Sequence, residues 1–97
     1  MHTYTLYVVV DSLESQRIED VQSALSKLGD FHFSPVRNQD SLIDCSEFYA
    51  TIQCAEPTWN TLIPQFNAYW SAHDETWMDY GYNTPMFHPD VYYLEIK

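Results

Sequence analysis

Residues 3–10, TYTLYVVV, place Tyr4, Leu6, Val8 and Val10 on one side of an extended chain and Tyr7 and Val9 on the other. Both sides are largely apolar, which predicts a central strand. The period then changes. In DSLESQRIEDVQSALSKLG the residues Ile18, Val21, Leu25 and Leu28 recur at helical spacing, and Gly29 is a natural stop. Asp11 and Glu14 have the spacing of a capping box, and Ser15 is an equally good cap. Glu14, Glu19 and Asp20 lie off the apolar stripe and are expected in solvent.

FHFSPVR (31–37) reads as an edge strand, because Pro35 has no N–H to give to a ladder. NQDSLIDCS is a polar connection carrying Asp40 and Asp44. EFYATIQC (47–54) alternates, with Phe48, Ala50, Ile52 and Cys54 inward and Glu47, Tyr49, Thr51 and Gln53 outward. Trp59, Leu62, Ile63, Phe66 and Trp70 mark a second helix. Pro64 is compatible with a start near Leu62, which predicts a helix over about 62–73 after an irregular turn. TWMDYGY is a short strand or loop, and DVYYLEIK is a last strand. The order predicts one domain, 1–97, of the α+β class. Its expected form is a ferredoxin-like βαββαβ sandwich, an antiparallel sheet with two helices on one face and an extra short strand near residue 80. Glu47, Tyr49, Tyr93 and Glu95 would then lie on an open, acidic and aromatic sheet face. Such an architecture hosts many functions and selects none.

Charge changes the picture more than fold class does. Fourteen carboxylates face four basic side chains, a net charge of −10. The cations are Arg17, Lys27, Arg37 and Lys97, so nothing basic occurs from Asn38 to Ile96. Direct nucleic-acid binding needs clustered Lys and Arg, and an anionic membrane surface repels the same charge, so both are disfavoured. With 45% apolar residues the chain has enough to fold despite its self-repulsion. TYTLYVVV lacks the basic flank and cleavage site of a signal, and Cys45 and Cys54 are expected as reduced thiols, so a cytoplasmic protein is expected.

Catalytic signatures are missing from this reading. His2, His32, His73 and His88 show no zinc spacing, neither cysteine lies in a CxxC, and HDE at 73–75 lacks the glycine turn of a calcium loop. Carboxylates near Cys45 would raise a thiol pKa, the wrong direction for a nucleophile. Two glycines cannot build a phosphate-cradling loop. The expectation is no enzyme, no metal and no cofactor.

What remains is SAHDETWMDYGYNTPMFHPD (71–90), in which acids alternate with aromatics of the kind that anchor interfaces. The expected partner-binding set is Asp74, Glu75, Asp79 and Asp90, then Asp40, Asp44 and Glu47, with Trp77, Tyr80 and Tyr82 as aromatic anchors. Duplex DNA carries about one negative charge per 1.7 Å of axis, so about 30 Å presents roughly eighteen. Fourteen carboxylates on a domain of that span are of the same order. A groove lined with Lys and Arg for nucleic acid would attract this chain by the same force. A chain of this size and charge, basic-free from Asn38 to Ile96 and without enzyme motifs, resembles the small acidic anti-CRISPR proteins of phages. The likeness is one of overall character and carries over no residue. Several of those inhibitors mimic DNA, which implies an inhibitor competing with target DNA for a surveillance complex. An immunity protein that plugs a nuclease toxin would use the same physics. A ferredoxin-like module that binds a ligand or dimerises through its open sheet is the alternative from another class.

Overall fold

Strand β1 (His2–Val10) is central because it pairs with a strand on each edge, and Leu6, Val8, Val9 and Val10 are all buried. The computed structural model describes residues 1–73 and 76–97. It shows an α+β fold, an open antiparallel sheet of seven strands with two helices. After β1 come helix α1 (Ser15–Leu28), β2 (His32–Phe33), β3 (Arg37–Asn38), β4 (Ser46–Cys54), α2 (Glu56–Phe66), β5 (Ser71–His73), β6 (Thr76–Tyr80) and β7 (Val91–Ile96). The sheet runs β2–β4–β1–β7–β6–β5, and β3 also pairs with β4. That is more strands than the expected sandwich has.

Register explains which side chains share a face. Leu6 lies opposite Ala50, and Val8 lies between Phe48 and Leu94. These residues, Ile18, Val21 and Leu25 of α1, and Trp59, Leu62 and Phe66 of α2 form one core cluster, so both helices cover the same face. Tyr7 lies opposite Tyr49 and Glu95, and Val9 opposite Glu47 and Tyr93; these define the other face.

Three expectations are corrected. Residues 31–37 are two short strands, not one: Pro35 interrupts, and the amide of Tyr49 is taken at 2.8 Å by the Ser34 hydroxyl instead. The second helix begins six residues earlier than expected and ends at Phe66. Pro57 sits in its first turn, where a missing N–H costs nothing, and Pro64 falls close to its end. Buried Asn67 then stops the helix. Its side-chain amide donates to the Tyr69 carbonyl at 2.8 Å, and its Oδ1 accepts from the Thr84 hydroxyl. Trp70 Nε1 donates to the Ile63 carbonyl in the last turn at 2.9 Å. Residues 71–73, expected as helix, therefore form β5 on the sheet edge. At the N-terminus of α1 the cap position is Glu14, and neither Asp11 nor Ser15 supplies a side-chain cap.

Beyond β6 the chain turns at Gly81, whose amide donates to the Tyr92 carbonyl at 2.8 Å. A Cβ at this position would lie 2.1 Å from the Val91 carbonyl oxygen, so the close approach of the two strands requires glycine. Among the described residues, no helix is long and apolar enough to cross a membrane.

Candidate functional site

The connections at one end of the sheet bring distant acids together. Val10 pairs with Ser46 on one side and Val91 on the other, so Asp11, Asp44 and Asp90 flank the same end of three adjacent strands. The Asp11 amide donates to the Asp90 carbonyl at 2.8 Å, and the Cys45 thiol lies 3.8 Å from the Asp11 carboxylate. Glu14 joins them because its amide is held by the Ser12 hydroxyl, while the Ser12 carbonyl accepts from Ser46. Asp40 arrives on the loop 39–45, closed by the Gln39 amide on the Cys45 carbonyl and by Gln39 Oε1, which accepts from the amides of Ser41 and Leu42. Asp44 has φ 63°, a left-handed conformation that Asp tolerates better than most residues.

Of these five acids, Asp90 is paired with a cation. Arg17 binds Asp90 through two hydrogen bonds, of 2.7 and 3.1 Å. Asp90 raises the guanidinium pKa most, and Glu14 and Asp11 add to it. Asp11, Glu14, Asp40 and Asp44 stay exposed, with no ion pair among the described residues. Glu19 and Asp20, also exposed, carry the negative surface along the first half of α1. Leu13 is 47% exposed and Ile43 90%, so apolar tips stand among these acids. Burial, then Asp11, pushes the Cys45 thiol pKa up, away from nucleophilic use.

The expected partner-binding residues are distributed differently from the sequence reading. Asp40 and Asp44 belong to the acidic end. Asp90 is there too, but tied to Arg17. Asp79 is not available to a partner: it is 5% exposed and accepts from the Ser71 hydroxyl (2.9 Å), the Tyr80 amide (2.7 Å) and the Asn83 side chain (3.4 Å). Asp74 and Glu75 lie outside the described residues. Trp77 and Tyr80 do not form one anchor surface. Trp77 lies opposite Ile96 and lines a groove with Tyr4 and Trp59 beside α2, whereas Tyr80 lies opposite Tyr93 on the open face. Tyr82 stacks on Tyr80 at 5.2 Å and is 73% exposed.

The open face holds Glu47, Tyr49, Tyr93 and Glu95 as expected from their alternation, yet it is not acidic. Glu47 accepts from Arg37 at 2.7 Å and from the Tyr7 hydroxyl at 3.0 Å. Glu95 is paired with Lys97 and accepts from the Tyr93 hydroxyl at 2.6 Å. Tyr49, Tyr7, Tyr93 and Tyr80 form a continuous row across four strands, with ring centroids 5.2, 6.0 and 4.9 Å apart in turn.

Glu14, Glu19 and Asp20 were expected in solvent and Asp11 as part of a helix cap, but none of the four is in the expected partner-binding set. The available signal was the placement of Arg17 within a run of acids that outnumber it.

These pairs set a pH dependence. The Arg17 guanidinium holds Asp90 below the ordinary carboxylate range. Burial pushes Glu95 up, but Lys97 and the Tyr93 hydroxyl together bring it below that range. Burial and then Glu95 push the Tyr93 phenol well above its usual value. For the carboxylates the folded value is the lower one, so their stabilisation is complete above the ordinary range and is lost as pH falls through the folded values. For tyrosine the folded value is the higher one, so its contribution is complete below about pH 10 and is lost as pH rises further. Thermal melts should show a plateau between about pH 5 and about pH 9, falling on both sides. Arg17→Ala should flatten the acid limb and leave the alkaline limb in place.

Among the described residues, no group of three or more His, Cys, Asp or Glu side chains could hold a metal ion. Compared with known proteins, the chain matches no family model, no curated protein and no solved structure.

Proposed function

We propose that this protein is a non-enzymatic inhibitor that mimics DNA. It would act in the cytoplasm of a bacterial host, occupying the Lys/Arg-lined groove of a CRISPR surveillance complex and blocking target DNA. The observation that carries the reading is the acidic end: Asp11, Glu14, Asp40 and Asp44 are exposed with no ion pair among the described residues, and Arg17 is taken by Asp90. Two of the remaining cations, Arg37 and Lys97, are held by Glu47 and Glu95. A cationic groove would meet this end with little opposing charge, and Leu13 and Ile43 supply apolar contact that lengthens residence. The order β2–β4–β1–β7, with α1 after β1 and α2 after β4, supports reading the sheet as a ferredoxin-like pair of split βαβ units extended by β6 and β5.

The test is binding to a purified surveillance complex, with target duplex as competitor. Capture that is displaced by excess duplex and that weakens at least about tenfold between about 50 and about 200 mM salt is the expected result. Capture indifferent to both duplex and salt would overturn mimicry. Binding to a nuclease toxin domain, and not to the complex, would redirect the same surface to immunity.

A further inference from the structure

We infer that two copies of this chain associate face to face through the tyrosine-covered side of the sheet. This surface is the exception on a molecule of net charge −10. Both acids on its strands, Glu47 and Glu95, have a cation, Arg37 and Lys97, so the sheet surface itself is neutral, and Gln39, Ser41 and Leu42 of the loop 39–45 border it at the Val9 end. Two copies repel one another in most orientations, and this orientation brings no net charge together.

The arrangement is also self-complementary. On β4, Glu47 and Tyr49 are two residues apart on the open face; on β7, Tyr93 and Glu95 are. Register sets Glu47 and Tyr93 on either side of Val9, and Tyr49 and Glu95 on either side of Tyr7. Acids and tyrosines therefore alternate at the corners of a square centred on β1. A two-fold axis in the plane between facing sheets and across the strands inverts one direction of that square and sets the loop 39–42, at the Val9 end of one copy, against the Tyr7 end of the other. Each carboxylate then meets a tyrosine of the second copy and never a carboxylate. Isologous dimers need a patch with this property. Tyrosine suits it further, since it buries a large ring and retains a hydroxyl for polar partners. The two-fold pairing leaves Asp11 and Glu14 outside the contact, so it is compatible with the acidic end meeting a groove and is tested separately from it.

Sedimentation of the protein alone, from about 10 μM to about 1 mM, decides the matter. The expected result is a mass rising from 11.4 kDa to twice that value. Added salt should strengthen the association, opposite in sign to groove binding, because it screens the repulsion of two anions. Backbone amide shifts that change with concentration should map to β4, β1, β7 and β6. Tyr49→Glu, which sets carboxylate against carboxylate across the two-fold, should weaken association at least tenfold, whereas Lys27→Gln, exposed on α1 over the opposite face of the sheet, should leave it within about twofold. A mass of 11.4 kDa at every concentration would overturn the inference. So would concentration-dependent shifts confined to α2 or the β5 edge, a reading on the unmodified protein that holds even if Tyr49→Glu fails to fold.

Discussion

A variant carrying Asp11→Lys, Glu14→Lys, Asp40→Lys and Asp44→Asn is expected to lose at least a hundredfold in affinity for a cationic nucleic-acid groove, about 3 kcal/mol. Each lysine replaces an attraction by a repulsion. The sites are exposed, so each contributes on the order of 1 kcal/mol and not the larger figure of a desolvated pair. Asparagine is chosen at position 44 because the φ of 63° there would strain a lysine. The fold should survive. Glu14 is the cap position of α1 without a side-chain cap bond, and its loss removes only a favourable charge at the helix N-terminus, worth under about 1 kcal/mol. The control moves the same charges elsewhere. Asp30 follows the C-terminus of α1 and Glu56 opens α2, both exposed and at the end of the sheet where His2 pairs with Cys54. Asp30→Lys with Glu56→Lys should slow encounter slightly and leave the dissociation rate alone. Equal losses from both variants, measured by surface-binding kinetics, would mean that total charge matters and location does not.

That contrast also shows how far the sequence could be read. Strand β4 and helix α1 were legible because their apolar residues keep a single period from end to end. Strands β1 and β7 were legible as runs of β-branched and aromatic residues, although the bulge that buries both Val91 and Leu94 has no local signal. Helix α2 was not legible. Its bounds depend on the side chain of Asn67 meeting Thr84, a contact seventeen residues away that no local pattern reveals. The acidic end was half legible: Asp40, Asp44 and Asp90 are in the expected set, while Asp11 and Glu14 read as a capping-box pair. In space Arg17 turns to Asp90, seventy-three residues distant, and Arg37 to Glu47. A segment without basic residues is therefore not an uncompensated surface, and three of its acids, Glu47, Asp90 and Glu95, are paired. The open face illustrates the same limit. Alternation correctly placed Glu47 and Glu95 outward, but their neutralisation by Arg37 and Lys97 needed the strand register and the third dimension.

Asp79 is where the linear reading and the fold part most sharply, and Asp79→Lys is expected to remove most of the protein's stability. In β6 this residue alternates with Met78 and Tyr80 and lies opposite Leu94, on the helix-covered side of the sheet. Its two oxygens accept from Ser71, Tyr80 and Asn83, which join β5, β6 and the turn that follows. Lysine would present donors to those same donors and bury a charge with no partner, at a cost of about 3–5 kcal/mol. A domain of this size has only about 5–15 kcal/mol in total. Asp79→Asn keeps the shape and one accepting oxygen for the Tyr80 amide, so it should cost about 1 kcal/mol. Urea unfolding followed by partner binding separates the two roles. The asparagine variant should bind as the unmodified protein does, and the lysine variant should lose fold and binding together. A lysine variant that unfolds at the original urea concentration yet no longer binds would show that this carboxylate reaches the partner after all.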